Sequence, residues 1–480
     1  MTNTANKSSI IGLILGPILF LITLLFYKPE GLSPQGVGIL ATAIWMAVWW
    51  VTEAIPIAVT ALMPIVLFPL TGGLNLEATT APYGHKFVFL YLGGFLVAIA
   101  IERWNLHKRI ALTIINAIGT DVRKILLGFM LATAFLSMWI SNTATAVMML
   151  PIALAIVNQM KDDPRTKEDE HSRFAKSMML AIAYSASIGG IATLIGTPPN
   201  LVLSGVVKEL YGYEITFTEW LKYGLPIAIL LFILCYFYLT RIAYKFEDIK
   251  FPAGAEEIKS MLKGLGKMGI EEKRVLTLFI ITALLWIFRA FLTPVLPALD
   301  DTIIAIIAGL ALFILPAGPK HKGEKLLNWE DSQKIPWGII LLFGGGMTLA
   351  EGFKTSGLAE FIGKGLSGFD TVPFFILVLV TITLVNFLTE ITSNLATTAM
   401  ILPILASVSD ALGHHPYLLM IPATIAASCA FMLPVATPPN AVVFSSGHLR
   451  IPDMIKAGLF MNIASIILLF IYIYLIKTPA

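Results

Sequence analysis

Long apolar runs, each close to the ~20 residues that cross a bilayer as a helix, alternate along this chain with short polar connections. The first four cover 10–27, 36–52, 54–71 and 87–102. Glu53 and Pro56 fall at the junction of the second and third, which predicts a tight turn near a membrane interface rather than a charge at mid-bilayer. A basic, amphipathic stretch at 103–119 leads to apolar 125–157, whose centre is interrupted by Ser141-Asn142-Thr143. Each arm around that interruption has about 16 residues, roughly 24 Å of helix against a hydrocarbon core of ~30 Å. The pattern therefore predicts a re-entrant helical hairpin with a polar tip inside the membrane. Polar residues 161–172 follow, then apolar 174–210 interrupted by Gly196-Thr197-Pro198-Pro199-Asn200, then a helix at 221–241. Residues 242–274 form a polar loop that divides the chain into halves. Helices at 275–292 and 302–315, a Lys-rich connection and a helix at 337–351 precede a return of the earlier pattern.

That return is an internal repeat. Gly93-Gly94 matches Gly345-Gly346, Asn105-Leu106 matches Gly357-Leu358, Ser141-Asn142 matches Ser393-Asn394 and Pro151 matches Pro403, all at an offset of 252. Thr197-Pro198-Pro199-Asn200 returns as Thr437-Pro438-Pro439-Asn440 at an offset of 240, and the missing twelve positions correspond to the polar loop at 161–172. Five crossings separate the start of one copy from the start of the other, so the repeats are expected to be inverted relative to one another.

Composition narrows the class. The chain is 57% hydrophobic and 13% charged with a mean hydropathy of +0.82, which predicts an all-α polytopic membrane protein of about 11 spans plus two re-entrant hairpins. Its solvent is the lipid bilayer, and nothing suggests nucleic acid. The net charge of +3 says little, but its distribution says more: segments 103–124, 242–274 and 316–336 carry five, seven and four Lys or Arg. The positive-inside rule then places them and the N-terminus in the cytoplasm, with the first apolar run retained as a helix rather than cleaved as a signal peptide. Cys235 and Cys429 lie in apolar segments and show neither a disulfide framework nor a metal-ligand pattern.

The interruptions carry the candidate chemistry. Gly196 suits the end of one half-helix, Thr197 the N-cap of the next and Pro198 its first position. A helix broken in this way presents free carbonyls from one half and free N–H groups from the other, the arrangement with which transporters hold a cation and an anion at the midplane. Asn142 and Asn394 can accept toward a cation through oxygen and donate toward an anion through nitrogen. Ser137 stands four residues before Ser141, on the same face of a continuous helix, and its counterpart is Thr389. Hydroxyl, amide and carbonyl oxygens suit sodium without a buried carboxylate. Each polar residue alone has a plain structural reading: back-bonding for Ser and Thr, a kink for Pro-Pro, close packing for the glycine pairs, and, for Glu390 and for Glu102 with Arg103, interfacial salt bridges as an alternative to functional charges. The asymmetric weight comes from tip and break occurring together, twice.

At these residues the chain resembles the divalent anion/sodium symporter family, which contains Na+/dicarboxylate and citrate cotransporters. WWVTEAIPIAVTALMPIVLFPL, FLSMWISNTATAVMMLPIALA, GTPPN and ATPPN carry the likeness, which covers nearly the whole chain. The resemblance implies a homodimer with an elevator-type mechanism, scaffold parts at 1–120 and 250–370 and transport-domain parts at 121–249 and 371–480. It implies one sodium site at Ser137, Ser141, Asn142 and Gly196, and a second at Thr389, Thr392, Asn394 and Ala436. Substrate carboxylates would meet Asn142, Thr143, Ser393, Asn394, Thr437 and Pro438. Leu395 departs from the family, which often has Thr there; the change removes a hydroxyl and biases against substrates with extra hydroxyls or a third carboxylate.

The expectation is a secondary transporter of the inner (plasma) membrane that couples inward Na+ flux to uptake of succinate, malate or fumarate. A dianion entering a negative interior is opposed by roughly 2.3 kcal/mol per charge per 100 mV, so co-transported cations are needed. A sodium-independent dicarboxylate/2-oxoglutarate exchanger is the alternative. A membrane enzyme would need converging titratable groups, and the apolar runs hold almost none.

Overall fold

The computed structural model describes residues 7–119, 121–160, 170–246, 251–365 and 373–476. The polar loop expected at 161–172 therefore lies outside the described residues up to 169. The first helices are α1 (Lys7–Phe26), α2 (Pro34–Thr52), α3 (Ile57–Thr60), α4 (Met63–Thr71), α5 (Leu76–Thr80), α6 (Lys86–Arg103) and α7 (Leu106–Ile118). Ser33 caps α2 by accepting from the Gly36 N–H, with Pro34 at the first helical position. Glu53 ends α2 in the left-handed conformation, φ 46°, and Pro56 starts the next turn. The predicted turn is present. The third apolar run, however, is two short helices separated at residues 61–62 rather than one span.

Next come α8 (Val122–Ser137), α9 (Asn142–Val157), α10 (Glu170–Ala192), α11 (Pro198–Tyr211), α12 (Phe217–Phe237), α13 (Pro252–Gly264), α14 (Ile270–Leu292) and α15 (Asp301–Ile314). A π-helical turn, Tyr238–Ala243, extends α12. The polar stretch 242–274, expected as a loop, contains α13. Strands β1 (Pro316–Gly318) and β2 (His321–Lys325) then pair antiparallel, so the chain is not wholly helical. Charged residues prevented a periodicity from being read in both places. The second half runs through α16 (Trp329–Ser332), α17 (Trp337–Thr355), α18 (Leu358–Gly365), α19 (Phe374–Leu388), α20 (Asn394–Ala411), α21 (Tyr417–Ala427), α22 (Pro438–Phe444) and α23 (Ile451–Ile476). Among the described residues, eight helices are long and apolar enough to cross a membrane; others, including 142–157, 301–314, 374–388 and 417–427, are shorter.

Glycine explains how the halves pack. A side chain at Gly93 would run into the backbone of Ala305 on α15, and one at Gly345 into the backbone of Ala61. Gly344 lies against Tyr83, whose hydroxyl donates to the Ala61 carbonyl. These are close-packing positions, as read from the sequence. The arms α8 and α19 pack on α10 and α21, while α9 contacts α22 and α20 contacts α11. Each interrupted helix thus touches both hairpins. Charges collect at helix ends: Lys86 with Glu214 and Asp300, Arg289 with Asp301 and Glu214, and Arg103 with Glu324 and Asp331 rather than with its neighbour Glu102.

Candidate functional site: two oxygen cradles at a shared cavity

The two TPPN motifs break their helices as the local sequence predicts. α11 begins at Pro198 behind extended Thr197, φ −142°, and α22 at Pro438 behind Thr437, φ −139°. Thr437 caps its helix by accepting from the Asn440 N–H at 3.3 Å, whereas Thr197 makes no cap bond. The last residue of each motif does work that sequence reasoning missed. Asn200 donates through Nδ2 to the carbonyls of Thr193 (2.8 Å) and Gly190 (3.1 Å), and Asn440 to those of Leu433 (3.0 Å) and Ala430 (3.3 Å). These carbonyls are the ones the breaks deprive of helical partners. The signal was available, since the same Asn closes both copies.

At the first tip α8 stops at Ser137, and α9 starts at Asn142 with Ser141 as its N-cap, accepting from the Ala144 N–H at 3.2 Å. Ser137 and Ser141 therefore do not share a continuous helix face, which corrects the expectation from their spacing. Ser137 reaches instead across the tip: its Oγ lies 2.6 Å from Asn142 Oδ1 and 2.7 Å from the carbonyl oxygen of Ala186 on α10. The second tip repeats this. Thr389 Oγ1 is 2.7 Å from Asn394 Oδ1 and 2.8 Å from the Ala427 carbonyl. Each cluster holds three oxygens and a single hydroxyl proton, so each is electron-rich and buried; Ser137 and Thr389 are both 0% exposed. Such a cradle suits a hard monovalent cation. Gly190 packs so closely on the Asn142 amide that a side chain there would displace it.

The other expected cation ligands are placed less directly. Ser141 Oγ is engaged as a cap. Thr392 Oγ1 is bonded to the Leu388 carbonyl (2.8 Å) and to Thr397 Oγ1 (2.6 Å), so it is committed to its own hairpin. Gly196 and Ala436 stand at the breaks beside the tips.

One cavity of about 1250 Å³ joins both tips and both breaks. It exceeds the ~300–1,000 Å³ of ordinary ligand pockets, so it is an open vestibule. Asn142, Thr143, Ser393, Asn394, Leu395, Thr437 and Pro438, the expected substrate contacts, all line it, together with Ser141, Gly196, Thr392 and Ala436. Ser137 and Thr389 sit behind the tips. Val51, Thr52 and Glu53 at the end of α2, with Tyr91 and Phe95 of α6 and Gly338 of α17, form the facing wall. Glu53 is the lining's charged residue, and no Lys or Arg is among the described lining residues. Helices α9, α11 and α20 start at lining residues of this cavity, with their positive ends toward it, while carbonyls at the ends of α8, α10, α19 and α21 accept from side chains: Met138 from Thr193, Thr193 from Asn200, Leu388 from Thr392 and Ala427 from Thr389. N–H groups and amides at these helix starts suit an anion, and carbonyl and hydroxyl oxygens suit a cation.

An interfacial salt bridge was one of the two sequence readings of Glu390, the other being a functional charge. Glu390 forms no ion pair among the described residues; instead its carboxylate accepts from the backbone N–H groups of Phe431 (2.8 Å), Met432 (3.0 Å) and Leu433 (3.1 Å) and from Asn462 Nδ2 (2.7 Å). The second break, 428–437, is longer than the first, 193–197, and leaves more N–H groups without helical acceptors. A buried carboxylate satisfies them.

Two hairpin tips and two interrupted helices converging on one cavity are an arrangement that membrane transporters use. The chain belongs to the family described as the sodium:sulfate symporter transmembrane region, which it matches over residues 7–477. It is 47% identical over 480 residues to the sodium-dependent dicarboxylate transporter SdcS of Staphylococcus saprophyticus, covering 99% of this chain and 92% of that protein. It is 49% identical over 475 residues to SdcS of Staphylococcus aureus (strain USA300), covering 98% and 91%. Two solved structures share its fold at low identity: MtrF of Neisseria gonorrhoeae (TM-score 0.59, 13% identity, 99% of this chain and 97% of that one) and the YdaH transporter of Alcanivorax borkumensis (0.56, 14%, 85% and 87%).

Proposed function

We propose that this protein is a sodium-coupled transporter that takes up C4-type dicarboxylates such as succinate, malate or fumarate. The observation that carries the reading is the pair of cradles, Ser137–Asn142–Ala186 and Thr389–Asn394–Ala427, set behind the two tips of one cavity. Sodium in each cradle draws on Asn Oδ1, which leaves the amide nitrogens of Asn142 and Asn394 to donate to the carboxylates. Thr143, Ser393 and Thr437 add hydroxyls, and Pro438 and Leu395 supply apolar contact. The names of the SdcS relatives, sodium-dependent dicarboxylate transporters, support both halves of the assignment. With no basic side chain in the described lining, a dianion is neutralised by cations that travel with it, as its entry against a negative interior requires.

In this reading the tips, breaks, α12 and α23 form a transport domain (121–249 and 371–480) that moves elevator-fashion against a scaffold (1–120 and 250–370). The protein is a homodimer of the plasma membrane, with inverted repeats, about 11 spans, two re-entrant hairpins and a cytoplasmic N-terminus. The cavity's rim, at the start of α1, the end of α2 and the start of α17, then faces the cytoplasm. Labelled succinate uptake into proteoliposomes tests the assignment: accumulation should require an inward sodium gradient and saturate. Robust counterflow in sodium-free buffer would replace symport with exchange.

A further inference from the structure

The two cradles match in oxygen type but not in charge. At the position before Trp139 in the first tip stands Met138; the offset of 252 puts Glu390 there in the second. Glu390 follows the cradle hydroxyl Thr389 directly and is 3% exposed. Its oxygens are bonded to the N–H groups of residues 431–433, the segment that continues from the cradle carbonyl of Ala427. No cationic side chain pairs with this carboxylate among the described residues. In the first cradle no acidic residue bonds Ser137 or Asn142 among the described residues, and Met138 takes the place of Glu390.

We infer that Glu390 is a positioning residue that makes the two cation sites unequal, so that sodium binds more tightly at Thr389–Asn394–Ala427 than at Ser137–Asn142–Ala186. This rests on the symport reading above. It acts in two ways. Its hydrogen bonds fix the course of the longer break, and with it the direction of the Ala427 carbonyl. Its carboxylate, buried next to Thr389, attracts a cation in the adjacent cradle more than one in the other cradle, whose residues it does not bond. The first cation to enter therefore occupies the second half, and the first cradle fills at higher sodium.

Purified protein titrated with sodium chloride against choline chloride at constant ionic strength, followed by thermal stability, reads both sites without transport. The wild type should show two phases separated by about tenfold in sodium concentration or more. Thr389→Ala should remove the tighter phase, and Ser137→Ala the weaker. Glu390→Gln should raise the sodium half-saturation by about tenfold in the Ser137→Ala background and by less than about twofold in the Thr389→Ala background. Glu390→Asp should recover part of that loss. In uptake assays, Glu390→Gln should need more sodium but regain a near-normal half-saturation for succinate once sodium is saturating, which a merely misfolded break would not allow. Equal phases, the reverse assignment by the two Ala variants, or the same Glu390→Gln effect in both backgrounds would overturn the inference. The first two outcomes need no Glu390 variant to fold. No sodium response in the wild type would instead overturn the symport reading itself.

Discussion

The two halves build one device from different parts. In the first, a short break, 193–197, is held by Asn200, and its tip carries Ser137, Met138 and Thr143. In the second, a longer break, 428–437, is held by Asn440 together with Glu390 and Asn462, and its tip carries Thr389 and Leu395. The cradle distances nevertheless agree within about 0.1 Å, 2.6 and 2.7 Å in one against 2.7 and 2.8 Å in the other. What the repeats keep is the hydroxyl–amide–carbonyl geometry; what they vary is how the surrounding backbone is satisfied and which side chains line the cavity. Isolated buried polar groups cost about 1–3 kcal/mol each when unpaired, so a longer unwound segment had to bring its own acceptor.

The largest test removes the shared part. Asn142→Ala and Asn394→Ala should each lower succinate uptake by about 100-fold or more, since each deletes a group that serves cation and anion together. Both proteins should still run as monodisperse species in detergent. Wild-type uptake by either would take its tip out of the site. Next, Gly190→Ala should weaken sodium dependence by about tenfold by pushing the Asn142 amide aside. An Ala at the matching Ala430 is native, so the effect should be confined to the first half; unaltered sodium dependence would mean that the amide is free to move. Asn200→Ala should remove the side-chain donor to the Gly190 and Thr193 carbonyls, of which Thr193 keeps the Gly196 N–H, and lower stability by about 1–3 kcal/mol, read as a drop in melting temperature. Asn440→Ala should cost less, because Glu390 still anchors its break. The smallest effect is expected from Leu395→Thr, a few-fold change in the order of preference among succinate, malate and citrate in competition assays, in line with one added hydroxyl contact. An unchanged order would mean that residue 395 does not face the cargo, although it lines the cavity.

Much of this was legible from sequence because the bilayer makes polarity expensive. Ser141-Asn142 in an apolar run, and Pro198-Pro199 in another, are conspicuous for that reason, and both mark real helix ends. Spacing misled where a helix stopped early: Ser137 looked like a face-mate of Ser141, but α8 ends at Ser137 and the hydroxyl turns to Asn142 and Ala186. The Ala186 and Ala427 carbonyls were invisible, since any residue supplies a carbonyl and only tertiary packing chooses which one. For Glu390, left open between a functional charge and a salt bridge, the salt-bridge reading fails, because the sequence gives no sign that backbone N–H groups two helices later will satisfy the carboxylate. The β1–β2 pairing and α13 were missed in segments where charge hides periodicity.

A described cavity lining without lysine or arginine also has a meaning for unloading. On the proposed reading, no permanent positive charge waits for the cargo, so the carboxylates stay only while sodium stays. Facing a cytoplasm poor in sodium, the cradles empty by mass action, and the anion loses its counter-charges in the same step. The side of the membrane with less sodium is thus where the cargo is let go, and the direction of delivery is written into the missing side chains of the wall.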